Sequence, residues 1–262
     1  MVPGGLRYGT HYVVEYDSDS PWYETSLTIT AEALRQGVRT EYHVFAHPPD
    51  DVRENLSRLG LNIRKLEEED TLRILDTYDV MTGLADPEKL AVMQSTGLEP
   101  YETHHSFNLV DWSSRVVTLI KQGVAEDEKK WLHLDDNTSI LNHYSDEKVI
   151  IDTWRTRFIP YSRVRELAMV NSFLTGVASE TFYKNFEALC DGIIDLRSLE
   201  EEGRFEHYAR VRTIRGTSSD SRWRRLQLLD TGEVRVEPTP AKAKALEIGL
   251  GGWLKGPGKH SR

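Results

Sequence analysis

Cysteine is almost missing from this chain: Cys190 is the one thiol in 262 residues, so no internal disulfide can form and a reducing cytoplasm is the expected location. Long hydrophobic runs are missing as well. No stretch approaches the roughly 18 apolar residues of a membrane span, and the first residues lack the apolar core of a signal peptide. A soluble protein with no membrane partner is therefore expected. Positive charge is in short supply: 33 Lys and Arg face 42 Asp and Glu, for a net charge of −9. Such a field repels phosphate and disfavours nucleic acid as a partner. What the chain does have is enough apolar residue, 39%, to bury a full core as one large domain or two small ones.

Strand-like and helix-like segments alternate along it. Thr10 to Glu15 reads as a strand, Thr25 to Gln36 as a helix closed by Gly37, and Thr40 to Ala46 as a second strand. Val52, Leu56 and Leu59 then repeat at helical spacing, and Thr71 to Thr77 is a short third strand. Residues 79–107 form an irregular insertion, with Gly83 to Ser106 richest in turn formers. A helix over Leu109 to Gln122 leads to the strand WLHLDD, and a further helix from Asp146 to Phe158 is expected to stop before Pro160. AMVNSFLTG is a strand, a helix follows through Ala188, and the remainder is rich in strands. The alternation favours a mainly parallel sheet wrapped by helices, with a C-terminal antiparallel extension. Residues 238–262 form a basic, glycine-rich tail.

Glycine and lysine are missing from one place where a nucleotide-binding α/β protein needs them. Between the first strand and the first helix stands YDSDSPWYET, with acids where phosphates would sit. Several strings elsewhere, in order, resemble the KaiC-like branch of the RecA-type ATPases. They are PGGLRYGT before the first strand, YHVFAHPPDDVRENLSRLGL around the second, WLHLDDNTSIL at the Walker B position, and LCDGIIDL and RVRTIRGTSSD as the late "DG" and "RG" signatures. The resemblance spans residues 3 to about 236 and implies a RecA-like three-layer α/β/α domain over 1–237.

The departures decide the expected chemistry. A phosphate loop needs glycines that admit phosphate to backbone N–H groups, a lysine that neutralises it, and a Ser or Thr for Mg²⁺. Aligned on Thr25, the resemblance puts Ser18 and Tyr23 at the glycines and Glu24 at the lysine, while Pro21 removes an N–H donor. Asp17 and Asp19 add repulsion toward a triphosphate carrying roughly four negative charges. Ala46 and His47 stand at the paired, water-activating glutamates of the family, and alanine is no base. Asp135 is retained at the Walker B position, and Arg215 of the RG signature has lost its basic companion to Thr213. The expectation is a degenerate, non-catalytic ATPase homologue with no cofactor, working as a binding or regulatory module for an unidentified protein partner or as a homo-oligomer. Two alternatives stay open: a slow ATPase with an unorthodox loop that binds nucleotide or metal, and a recombinase paralogue associated with nucleic acid.

Other features carry a functional reading beside a plainer one. Asp17, Asp19, Glu24, Asp135 and Asp136 would suit Mg²⁺ or Ca²⁺ if gathered at one sheet edge, or else form a solvated turn. Trp22 and Tyr23 either contact a ligand or plug the vacated nucleotide cavity. His104 and His105 are adjacent and on a strand would point apart, and His133 reads as a core histidine. His47 and His143 have no partner at a recognisable spacing. Cys190 reads as a buried thiol rather than a nucleophile. SRWRR, residues 221–225, is either a basic patch for an acidic partner or nucleic acid, or a solvated strand face or subunit contact.

Overall fold

The strand over Thr10–Tyr16 (β1) is buried on both faces, Tyr12 and Val14 on one and Val13 on the other. Such a strand belongs inside a sheet covered on two sides. A computed structural model of the chain describes residues 5–77, 109–118 except 111 and 115, 131–201 and 203–240, with backbone alone for 131–135, 142–143 and 239–240. The 79–107 insertion, His104, His105 and the tail beyond 240 lie outside the described residues, as do the side chains of Asp135, His133 and His143.

After β1 come α1 (Trp22–Arg35), β2 (Arg39–Val44), α2 (Pro49–Arg58), α3 (Ile63–Glu68) and β3 (Leu72–Asp76). Residues 109–118 are helical where described. Then follow β4 (Trp131–Asp136), α4 (Thr138–His143), α5 (Glu147–Thr153), a π-helical turn (Trp154–Phe158), α6 (Ile159–Val164), β5 (Ala168–Leu174) and α7 (Glu180–Leu189). The chain closes with β6 (Gly192–Glu201), β7 (Arg204–Ile214), β8 (Arg224–Leu228) and β9 (Val234–Pro240). The sheet order is β3-β2-β4-β5-β1-β6-β7-β8-β9. Strands β1 to β6 run parallel, and β7, β8 and β9 add antiparallel hairpins. This is the mainly parallel sheet with an antiparallel extension that the sequence predicts. One core lies between the sheet and α1 to α3 and takes in Leu226 and Val234, while a second, rich in aromatics, lies under α5 to α7 and the 109–118 helix.

Several boundaries differ from the sequence reading, two of them for a reason that proline supplies. Helix α1 begins at Trp22 rather than Thr25, because Pro21 supplies the non-helical residue just before it and Thr25 N already donates to Pro21 O. The helix expected to stop before Pro160 runs on through it. The wider turn Trp154–Phe158 resets the ladder, and Pro160 falls in the first turn of α6, where a missing N–H costs nothing. Trp154 and Phe158 are thereby both buried.

Candidate functional site

Because β1, β2, β4 and β5 are parallel, their carboxyl ends, Tyr16, Val44, Asp136 and Leu174, share one edge of the sheet. Ligands of open α/β sheets bind at that edge. The loop that follows β1 is folded onto itself: Asp17 accepts from Ser20 Oγ at 2.5 Å through one oxygen and from the Ser198 N–H at 2.8 Å through the other. Ser20 N and Trp22 N both donate within the loop. Thr25, at the expected Mg²⁺ position, donates its hydroxyl to Pro21 O at 2.5 Å.

Aromatic rings fill the space beside this loop. Trp22, 5% exposed, stacks on Tyr16 with centroids 5.9 Å apart. Tyr23 stacks on His47 at 3.9 Å with planes 16° apart, and Asn55 donates to its hydroxyl. The residues that the resemblance aligns with a phosphate-loop glycine and a catalytic glutamate thus lie flat on one another. Ser26 Oγ and the Tyr42 hydroxyl pair at 2.7 Å behind them. The remaining cavity, bounded by Trp22, Tyr23, Ser26, Tyr42, His47 and Asp136, is about 20 Å³, room for about one water. Pockets for cofactor-sized ligands run to several hundred Å³.

Asp136 closes the back of this cavity. Its carboxyl accepts from the Thr138 N–H at 3.1 Å, Ser172 Oγ at 3.3 Å and the Tyr16 hydroxyl at 3.4 Å. Burial pushes it above the usual carboxylate range, against the hydrogen bonds from Thr138 and Ser172. Ser18 and Asp19 are exposed, and Glu24 sits half-buried in the first turn of α1. The acids proposed as cation ligands are thus used differently: Asp17 pins a turn, Asp136 lies behind Tyr16, and Asp19 faces outward. Among the described residues no three His, Cys, Asp or Glu side chains are placed to hold a metal ion.

The late signatures have structural causes. At Gly192 any Cβ would lie 2.3 Å from Tyr12 Cδ1, so only glycine admits the ring there. Asp191 accepts from the His11 N–H at 3.1 Å and, through its carbonyl, from the Arg215 N–H at 2.7 Å. Arg215 also donates from its guanidinium to Ala188 O at 2.7 Å, and Gly216 turns away at φ 71°. The DG and RG strings thus tie the starts of β1 and β6 to the end of β7. Cys190 is buried, which pushes its thiol well above the ordinary range.

The basic string is largely neutralised within the fold. Arg222 and Arg224 both pair with Asp220, Arg225 pairs with Glu206, and Trp223 lies under Arg210 at 4.5 Å. Sequence reasoning missed Tyr16, whose side chain shares a face with Tyr12 and Val14 by simple alternation. It also missed the buried charges on the opposite face: Glu15 of β1 and Asp195 of β6, with Arg212 of β7 between them.

No protein-family model matches the chain. A UPF0273 protein of Methanopyrus kandleri is 27% identical over 215 residues, covering 78% of this chain and 75% of its own length. The crystal structure of a KaiC-like protein from the hyperthermophilic archaeon Pyrococcus horikoshii superimposes with a TM-score of 0.65 over 90% of this chain and 93% of that one, at 15% identity. Among the described residues no helix is long and apolar enough to cross a membrane. The strand order, the shared carboxyl edge and this superposition together show that the chain has the same fold as that KaiC-like protein.

Proposed function

We propose that this chain is a non-catalytic KaiC-like homologue whose phosphate loop is degenerate and which acts through protein contacts as a binding or regulatory module. The observation that carries the reading is the Tyr23–His47 stack at 3.9 Å, which occupies the position between the phosphate loop and the lost catalytic acids. Hydrolysis needs a phosphate held in line with a base, and here rings take up the space of the one and the place of the other. The loop amides of Ser20 and Trp22 and the Thr25 hydroxyl, which would have to turn toward phosphate and Mg²⁺, already bond within the chain. Glu24 adds like charge on the same turn.

Titration of the protein with Mg-ATP in a calorimeter tests this. The expected result is no saturable heat and no rise in melting temperature. Micromolar binding, or a melting rise of several degrees, would refute the reading. Glu24→Lys alone is expected to leave turnover undetectable, because Pro21, Tyr23 and Ala46 stay in place.

A further inference from the structure

On the side of β1 away from the aromatic plug, three carboxylates meet two guanidiniums. Across the sheet, Glu15 sits level with Phe173 of β5 and Asp195 of β6, and Asp195 in turn with Arg210 of β7. Arg212 is the hub. It donates to Glu15 Oε2 at 2.9 Å, to both Asp195 oxygens, and to Glu187 of α7. Arg210 completes Asp195 at 2.6 Å. Arg197 of β6 is directed to the backbone, donating to Glu15 O and Leu196 O. Tyr183 and Cys190 also face Glu15 from the α7 side, and Tyr183 donates its hydroxyl to Leu174 O. On β5 the residue level with Glu15 is Phe173, which carries no charge.

Glu15 is 6% exposed and Asp195 1%, so neither charge is relieved by water. With Asp195 satisfied twice, Glu15 and Glu187 share the remaining cation, and one negative charge is in excess. Glu15 Oε1 is buried with no donor, and one guanidinium, that of Arg212, bonds both Glu15 and Glu187 and so brings their carboxyls together. Two carboxylates so placed cannot both ionise cheaply, and a proton between them supplies the missing hydrogen bond. Burial first, and then the Glu187 contact, push Glu15 up to about 7 against the pull of Arg212.

We propose that Glu15 and Glu187 hold one proton between them, and that this proton is a pH-sensitive clasp fastening α7 to the sheet. When it leaves, the two carboxylates repel across the joint and α7 loosens. The proposal is independent of whether the opposite side of β1 binds nucleotide.

For a carboxyl raised from its unfolded value toward neutrality, the folded state binds the extra proton. Its contribution to stability is full at acid pH and is lost as pH rises toward about 7. Buried histidines work the other way. His11, lowered to about 4 by burial, is neutral in the folded state and costs stability as pH falls below its unfolded value. The informative quantity is therefore the difference between wild type and Glu15→Gln, in which the histidines cancel.

Urea unfolding of both proteins between about pH 5 and pH 8 is expected to show the wild-type equilibrium constant gaining on the variant by up to about tenfold per pH unit as pH falls from 7 to 5. Hydrogen exchange of the Glu180–Leu189 amides, corrected for intrinsic rates, is expected to accelerate at pH 8 in the wild type and not in Glu15→Gln. A flat difference curve, or equal exchange in the two proteins, overturns the proposal. If Glu15→Gln fails to fold, infrared spectroscopy of wild type and Glu187→Gln replaces it. A protonated carboxyl band that fades near pH 7 in the wild type, and at more acid pH in Glu187→Gln, is expected. No such band, or one that Glu187→Gln leaves unmoved, overturns the shared proton.

Discussion

Glu15 and Tyr16 are neighbours in β1, yet their side chains leave the sheet on opposite faces and meet opposite chemistries. Tyr16 enters a wall of rings, Trp22 stacked on it and Tyr23 on His47 nearby, with Asp136 behind them held by hydroxyls and an amide. Glu15 enters a knot of charge with Arg212 at its centre. The stack of Trp22 on Tyr16 is held by area and shape, so its strength should be nearly independent of pH and salt. The charged side is held by a balance of desolvation against attraction, so its strength should follow the protonation state of one group. One strand end thus carries a fixed joint and a tunable one.

The comparison breaks if the ring side proves dispensable. Trp22→Ala removes a buried ring in contact with Tyr16, and about 3–5 kcal/mol of unfolding free energy is expected to go with it, equally at pH 6 and pH 8. A loss below 1 kcal/mol by urea titration would show that the rings fill space without holding it. Arg212→Ala sharpens the other half. It leaves Glu15 without its cation and Asp195 with only Arg210, and about 3 kcal/mol is expected to be lost, the low end for a buried network because Arg212 is 32% exposed. That loss should shrink at acid pH, where Glu15 carries its proton. A smaller effect is expected from Tyr16→Phe, which deletes one donor to Asp136 and one partner of Thr138, about 1 kcal/mol by thermal melting.

Much of the architecture was legible, and for a physical reason. Strands such as THYVVE and AMVNSFLTG are buried on both faces, so they read as short apolar runs between turn signals. The DG and RG strings were legible because each depends on a local backbone demand, a ring against Gly192 and a left-handed turn at Gly216. Pro160 misled because a π-helical turn leaves no mark in propensity, so a proline that ends most helices here opens one. The site was legible in part. The absence of glycine and lysine from the loop is plain in the sequence, and the plug is one of the two readings that Trp22 and Tyr23 allow. That Tyr23 would lie on His47 needed the fold, since the two stand on different elements. The Glu15 network was invisible because Glu15 comes from the first strand and Asp195 and Arg212 from a hairpin far along the chain, and each alone looks like a solvated charge on a strand.

The strand order also bears on how the chain comes into being. Among the described elements strand β1 is made first, yet both of its partners in the sheet, β5 and β6, are made last among the parallel strands. On a ribosome adding about 5–20 residues per second, the roughly 150 residues between β1 and β5 take about 8–30 seconds to appear. Through that interval Tyr12, Val13 and Val14 have no sheet to enter. The central strand of the sheet is thus the longest-waiting of the described strands.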